Sequence, residues 1–490
     1  MMTRREALRA LGLSSAATLG AAPVKRPNIL FVMTDDQVPQ TMGCYGGTVL
    51  PTPNFDRLAR EGVRFTNCFV TNSLCAPSRA SVLTGAYSHI NGIRGNSEAA
   101  DAVETINPIA TYPEVLQKAG YKTAMVGKWH LSHNPAGFDY WCILPGQGLY
   151  FDPDFIENGV KKKIPGYATD VTTDLALNWL KAQTEGTQPW CLVFQHKAPH
   201  RPFKPAPRHA HLLDGKEVPY PATFDDDYKT RQMALESKDM KLELSLAPDY
   251  PELPANLSGP EKKKWLFQRF AKDYYEASYS IDENLGRVLA HLDQTGQTDN
   301  TLIIYTSDNG FFLGDHGWYD KRFMYEPSLR VPLLVRYPAA AKAGHVESRF
   351  VLNIDHAPTM LQLAGAPVPA TMQGRPYTAL LAAKASKDWR KSMYYTYYEN
   401  SWNLRDKSKD AFSDPSFQFF TAHRVSPHRG VRTARYKLIH YYSENNYWEL
   451  FDLRKDPNEL RNVFAEPGYK SVVTAMKKEL DRLRSVYKDT

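Results

Sequence analysis

Cysteine is scarce and unpaired in this chain, and that narrows its chemistry at once. Among 490 residues the thiols are Cys44, Cys68, Cys75, Cys142 and Cys191. An odd number without the close spacing of metal ligands argues against a zinc site and against a disulfide scaffold. At least one of these cysteines needs another explanation. Blocks of like charge are also missing. The formal net charge is +7, but the positive residues are dispersed, with only the short runs Lys161-Lys162-Lys163 and Lys262-Lys263-Lys264. Such runs read as solvated surface, so no nucleic-acid partner is expected. No internal repeat is found, and no stable membrane span is expected: the apolar run from Ala7 to Ala22 is too short and too rich in Ala and Gly.

What is present begins with that run. Arg4-Arg5, the apolar stretch and the closing Ala21-Ala22-Pro23 have the layout of a cleavable signal peptide over residues 1–25. Export to a periplasmic or extracellular location is expected. Thr3-Arg4-Arg5 also resembles a twin-arginine signal, although Ala7 stands where a bulky apolar residue is usual, and the route stays open. The whole chain is 42% hydrophobic and long enough for a large core and more than one domain.

Short β-forming runs recur at Asn28 to Met33, Thr123 to Val126, Trp190 to Phe194, Thr301 to Tyr305 and Val331 to Val335. Between them, Asn54 to Glu61, Tyr112 to Ala119, Thr172 to Ala182 and Phe267 to Gln294 read as helices. This alternation predicts an α/β fold with a mainly parallel central sheet flanked by helices. The passage from Gly365 to Pro376 reads as a boundary, dividing a catalytic domain (26–370) from a smaller C-terminal α+β domain (371–490). In the tail, Arg435 to His440 and Trp448 to Leu453 read as paired strands and Tyr469 to Val486 as an amphipathic helix. The polar stretch from Asp214 to Lys264 reads as insertion loops and short helices.

Polar residues gather where these strands end. Asp35-Asp36 follow the first run, Lys128 and His130 the second, His196 and His200 the third, and Asp308-Asn309 the fourth. Taken singly, an Asp pair after a strand is a turn or a cap. Together they form one rim at the carboxyl ends of the strands, where open α/β sheets bind ligands. Three carboxylates and an amide oxygen favour a hard cation, Ca²⁺ or Mg²⁺, held by Asp35, Asp36, Asp308 and Asn309. A cation so held can polarise an ester and activate a hydroxyl, on a sulfate or a phosphate alike.

Leu74-Cys75-Ala76-Pro77-Ser78-Arg79, followed by Thr84-Gly85, resembles the signature of the formylglycine-dependent sulfatases, within the alkaline phosphatase-like superfamily. The resemblance extends to Thr52-Pro53-Asn54-Phe55-Asp56, Gly127-Lys128-Trp129-His130, Ser307-Asp308-Asn309-Gly310 and Asp320-Lys321-Arg322. It implies that a modifying enzyme oxidises Cys75 to formylglycine, whose hydrate binds the metal, attacks sulfur through one hydroxyl and expels sulfate through the other. By the same resemblance Arg79 holds the formylglycine, Lys128 and Lys321 bind sulfate oxygens, and His130 assists deprotonation. His200, in His196-Lys197-Ala198-Pro199-His200-Arg201-Pro202-Phe203, matches the histidine that protonates the leaving alcohol. Pro77 is expected to open a helix whose N–H groups favour an anion.

The stretches Gly314 to Glu326 and His423 to Thr433 resemble the branch of N-acetylglucosamine-6-sulfatases and mucin-desulfating enzymes. The expected substrate is therefore a sulfated carbohydrate, a 6-sulfated N-acetylglucosamine ahead of an aryl sulfate. His196, Asp315, His316, His423 and His428 are the expected sugar-binding residues. A phosphonate or phosphodiester hydrolase of the same superfamily would carry the same nucleophile and metal. A glycan-binding relative without catalysis would have lost Cys75, an acidic ligand or a lysine, and none is missing.

Overall fold

The computed structural model describes residues 26–96, 108–384, 387–399, 425–443 and 446–489. The expected signal peptide and His423 lie outside the described residues. Eleven strands build one large sheet: β1 (Asn28–Asp35), β2 (Val63–Phe69), β3 (Lys122–Lys128), β4 (Tyr140–Leu144), β5 (Asp154–Glu157), β6 (Val160–Lys163), β7 (Trp190–Pro199), β8 (Thr301–Ser307), β9 (Arg330–Arg336), β10 (His345–Glu347) and β11 (Val351–Leu352). Their order is β10-β2-β9-β8-β1-β7-β3-β4-β5-β6, with β11 paired to β2. The central neighbours β8, β1, β7, β3 and β4 are all mutually parallel. Antiparallel pairing enters on both sides, between β8, β9 and β2 and between β4, β5 and β6.

β1, β7 and β8 are buried along their whole length, as strands covered on both faces must be. Successive side chains of a strand point to opposite faces, and β1 shows the consequence. Ile29, Phe31 and Met33 join one core with Tyr112, Leu116, Met360 and Leu361, whereas Leu30 and Val32 join another with Phe55, Ile281, Leu285 and Trp179. Helices Tyr112–Lys118, Cys75–Thr84 and His356–Leu363 thus cover one face, and Pro53–Glu61, Ala168–Lys181 and Gly259–Gln294 the other. The last begins eight residues before the expected Phe267, because its first two turns are polar and carry no apolar period, although Pro260 suits a first turn.

Asp214 to Ser258 folds into loops and short helices, including Gln232–Glu236 and Leu242–Ser245, around a third core with Phe267, Phe270 and Tyr274, while the rest of the expected stretch, to Lys264, joins the long helix. At the C-terminus β12 (Ser392–Tyr397), β13 (His428–Thr433), β14 (Tyr436–Tyr441) and β15 (Tyr447–Asp452) form an antiparallel sheet in sequence order. Helix Lys470–Tyr487 covers it through Met476, Leu480, Leu483 and Tyr487, spaced for one helical face. Among the described residues no helix is long and apolar enough to cross a membrane.

Candidate active site

The strand order β8-β1-β7-β3 sets the carboxyl ends of neighbouring parallel strands side by side, and the polar rim follows from that. Asp308 and Asn309 leave β8, Asp35 and Asp36 end β1, His200 follows β7, and Lys128 and His130 end β3. Asp36 and His130 both hold left-handed backbone (φ 65° and 55°), a conformation rare outside glycine that concentrates at functional sites. Gly127, just before Lys128, has φ 106°, and a Cβ there would lie 1.9 Å from the Gln195 carbonyl oxygen. Only glycine lets β3 approach β7 so closely before Lys128.

Cys75 is brought in from the other side of the rim. Its helix opens at Cys75 itself, two residues before the expected Pro77, which sits in the first turn where its missing N–H is no loss. The approach is fixed by distant partners. Ser73 N–H donates to the Tyr395 hydroxyl (3.2 Å), and that hydroxyl donates to the Arg322 carbonyl (2.6 Å). Ala76 N–H donates to Asn96 Oδ1 (3.1 Å), while Asn96 N–H donates to Glu399, which also takes Arg322 (2.7 Å each). A tyrosine of the C-terminal sheet therefore ties the segment before Cys75 to the loop bearing Lys321.

The resulting cluster is buried and densely charged. Cys75 Sγ lies 3.3 Å from Asp35 Oδ1 and 3.4 Å from Lys321 Nζ. Lys321 Nζ donates to both oxygens of Asp36 (2.5 and 2.7 Å), and Lys128 Nζ contacts Asp35 Oδ2. Arg79 donates through Nε and Nη2 to Asp308 Oδ2 (3.1 and 2.8 Å) and through Nη1 to the Lys128 carbonyl and Gln195 Oε1 (2.8 and 2.6 Å). Burial alone would raise Asp35, but Lys128, Arg79 and Lys321 hold it well below the usual carboxylate range. For Asp36 burial prevails over Lys321, and its pKa is pushed up to about 7. Burial, then Asp35, push the Cys75 thiol far above its ordinary value, so as an unmodified thiol it is a poor nucleophile.

The donor set fits a hard divalent cation. Asp35, Asp36 and Asp308 each offer an oxygen, all within 4.8 Å of one another. Asn309 Oδ1 is buried beside them and, among the described residues, has no hydrogen-bond donor. A cation taking those four oxygens would satisfy it.

His200 donates from Nδ1 to the Arg201 carbonyl (2.7 Å) and places Nε2 3.7 Å from Asp36 Oδ2, inside the cluster. The Tyr150 hydroxyl holds the His200 carbonyl (2.6 Å). Lys197 stands over the Tyr150 ring, its Nζ donating to the Arg201 carbonyl (3.3 Å), and burial pushes its pKa down to about 7. Lys197, Tyr150, Gln195 and Gln147 have no place among the expected residues. Gln147 had a local signal, the turn Pro145-Gly146-Gln147-Gly148 after a strand end, but β4 was not legible as a strand.

The sugar-binding expectations need correction. In β7 Gln195 faces Arg79, so His196 faces the opposite side, its ring against Phe194 (centroids 4.4 Å). His428 donates from Nδ1 to the Ser426 carbonyl (2.9 Å), accepts the Met324 N–H at Nε2 (3.2 Å), and lies among Phe323, Tyr395, Tyr397 and Tyr441. Both nitrogens serve the fold. His316 pairs with Asp226 (2.6 Å) and is buried between Trp318 and Tyr325. Asp315 lines a pocket of about 180 Å³ with Thr223, Glu326, Arg330 and Glu459, none of which belongs to the cluster around Cys75.

These buried histidines predict acid sensitivity. Burial lowers His428 to about 4, whereas the unfolded chain binds that proton near pH ~6.5. Between those values the unfolded state holds more protons, so stability falls as pH drops from about 6.5 towards 4, by up to about 3 kcal/mol. Thermal unfolding of His428→Phe should lose less stability between pH 7 and pH 5 than the parent protein; an equal loss would refute the assignment.

Known proteins resemble this chain over most of its length. The family described as Sulfatase matches residues 27–366, and that described as N-sulphoglucosamine sulphohydrolase, C-terminal, matches residues 401–486. An N-acetylglucosamine-6-O-sulfatase of Bacteroides thetaiotaomicron is 40% identical, the match covering 98% of this chain and 90% of that protein. The human N-acetylglucosamine-6-sulfatase is 27% identical, over 90% of this chain and 82% of its own. A solved structure of a protein with its substrate D-glucosamine-2-N,6-O-disulfate superposes with TM-score 0.85 at 40% identity, covering 95% and 99% of the two chains. The phosphonate monoester hydrolase of Agrobacterium radiobacter shares the fold (TM-score 0.72, 21% identity, 94% and 96% covered).

Proposed function

This chain belongs to the sulfatase family and is a sulfuric ester hydrolase acting on sulfated glycans, and we propose on that basis that it removes the 6-O-sulfate of N-acetylglucosamine. The nucleophile in this reading is Cys75 oxidised to formylglycine by a modifying enzyme, and the metal is Ca²⁺, with Mg²⁺ as the alternative. The observation that carries the chemistry is one buried cluster in which Cys75 meets three carboxylates, Asn309, Arg79, Lys128, Lys321 and His200. The substrate class is supported by the 40% identity to an N-acetylglucosamine-6-O-sulfatase.

Asp35, Asp36, Asp308 and Asn309 would hold the cation, which when bound supplies charge to polarise the ester and acidify a hydroxyl. Without it, three carboxylates face the three fixed cations Arg79, Lys128 and Lys321, so a bound dication leaves the site positive, as an anionic ester requires. Lys128 and Lys321 flank Cys75 and take sulfate oxygens in this reading. Arg79 fixes Asp308 and the end of β3 through its fork of donors, which orients Lys128. His200 presents Nε2 to the cluster; burial and Lys128 hold it neutral, and an anionic sulfate nearby raises its proton affinity so that it can protonate the departing sugar oxygen. Export by the signal peptide and a division at residues 370/371 belong to the same proposal.

The test is sulfate release from a panel of sulfated mono- and oligosaccharides, an aryl sulfate and a phosphonate ester. Release from 6-sulfated glucosamines is expected to lead the panel. Chelation is expected to cut it by about a hundredfold or more, with recovery on added Ca²⁺. A preference for any other class would overturn the substrate, and rates indifferent to chelation would overturn the metal.

A further inference from the structure

We propose that Tyr150 is a positioning residue of the hydrolysis: seated on Tyr167, it holds the loop after β7 so that His200 turns Nε2 to the ester oxygen that leaves with the sugar. In that loop, Lys197-Ala198-Pro199-His200-Arg201-Pro202-Phe203, both prolines lack an N–H to donate. Its backbone is held by His200 N–H donating to the Lys197 carbonyl (3.1 Å) and Phe203 N–H donating to the His200 carbonyl (3.2 Å). Two buried tyrosines from the segment between β4 and helix Ala168–Lys181 add side-chain donors. The Tyr150 hydroxyl donates to the His200 carbonyl (2.6 Å), and the Tyr167 hydroxyl donates to the Lys204 carbonyl (2.9 Å). Their rings stack, with centroids 5.9 Å apart and planes 20° from parallel. Ala168 N–H donates to the Tyr150 carbonyl (2.7 Å), which ties the backbone of Tyr150 to the start of the helix. Tyr150 is thus fixed at its backbone, its ring and its hydroxyl.

The hold reaches the imidazole through one peptide unit. The carbonyl of the next residue, Arg201, accepts from His200 Nδ1 (2.7 Å) and from Lys197 Nζ (3.3 Å), and that Nζ stands 4.9 Å from the centre of the Tyr150 ring. With Nδ1 turned to the carbonyl, Nε2 points the other way and lies 3.7 Å from Asp36 Oδ2. One ring nitrogen of His200 is within 4.8 Å of both Cys75 Sγ and an Asp35 oxygen. The acid is therefore set beside the residue at which the ester is attacked. Turning the ring over would put a carbon in the place of each nitrogen, so proton transfer needs the Arg201 carbonyl where it is. Tyr150 acts through His200 and takes no part in bond making. The inference rests on the reading of His200 as the group that protonates the departing sugar oxygen.

Two sulfate esters that differ in their need for an acid test it: N-acetylglucosamine 6-sulfate, whose sugar oxygen must be protonated as it leaves, and 4-nitrophenyl sulfate, whose phenolate leaves unaided. Tyr150→Phe keeps the ring stack and deletes only the donor. It is expected to lower kcat on the sugar sulfate by about tenfold with KM within about threefold, and to change turnover of the aryl sulfate by less than about twofold. His200→Gln supplies the reference, with an expected loss of about a hundredfold or more on the sugar sulfate and under about fivefold on the aryl ester. Equal losses of Tyr150→Phe on the two esters, or none on either, overturn the proposal. Equal losses of His200→Gln overturn the acid role on which it rests. Nitrogen-15 NMR of histidine-labelled protein, with His200 assigned by difference from His200→Gln, reads the ring without turnover. The parent protein is expected to show Nδ1 protonated and Nε2 bare, and Tyr150→Phe a mixture of tautomers. A parent spectrum with Nε2 protonated, or one unchanged in Tyr150→Phe, overturns the positioning whichever ester is the substrate.

Discussion

Replacing Cys75 by alanine should leave a folded protein that releases sulfate at least about 10⁴-fold more slowly, since in the proposed reaction the oxidised side chain at 75 is the nucleophile. The prediction separates chemistry from structure because the thiol is held neutral: burial and Asp35 push its pKa far above the ordinary value. Removing it therefore deletes one small uncharged group and leaves the pairs Lys321 with Asp36 and Arg79 with Asp308 intact. The stability cost should stay within about 1–2 kcal/mol, the range for trimming a small buried side chain. Cys75→Ser isolates the modification, since the hydroxyl preserves size and polarity but gives a different substrate to the modifying enzyme. Peptide mass spectrometry across residue 75 should show sulfur replaced by a carbonyl oxygen in active preparations only. Full activity in Cys75→Ala, or activity unrelated to the modified fraction, would remove Cys75 from the reaction.

The second large effect is expected from Arg79→Met, and on folding as much as on turnover. Arg79 is 1% exposed, and its guanidinium is the nearest fixed cation to Asp308. Truncation leaves a buried carboxylate without its counter-charge and strands the Lys128 carbonyl and Gln195 amide oxygens, a situation that costs about 3–5 kcal/mol. Methionine fills the space, so the loss reports charge and hydrogen bonds rather than a cavity. Arg79→Lys should recover part of the stability but little of the activity, because one ammonium cannot reach Asp308, Lys128 and Gln195 together as a planar fork does. Thermal unfolding of the three proteins measures the first claim and sulfate release the second. An Arg79→Met variant that melts with the parent protein would mean that Asp308 is compensated by another group.

Where these residues gather was legible in the chain itself, because they are polar residue types at strand ends. Asp35, Asp36, Lys128, His200 and Asp308 follow runs whose apolar character marks them as strands, and the parallel sheet then gathers them at one edge. The helices were legible in kind, and boundaries slipped where polar turns hid the period, as at Gly259. β2 escaped notice because Arg64 and Asn67 interrupt it, and β4 went unread as well. The missing β4 took Gln147 with it. The histidines expected to bind sugar failed for a different reason: loop position and residue type suggested exposure, whereas His196, His316 and His428 are buried among aromatic rings.

Taken alone, the sequence determined the motif around Cys75, the carboxylates and amide at the strand ends and the α/β class, since motif, residue chemistry and strand patterning are all local along the chain. Only the tertiary structure decided that Gln147 joins Lys128 to His130 and that Tyr395 of the C-terminal sheet steadies the approach to Cys75. Each of these depends on which face of a strand meets which distant element. A two-residue alternation says that neighbouring side chains diverge, but the side that reaches the site is set by pairing between strands far apart in the chain.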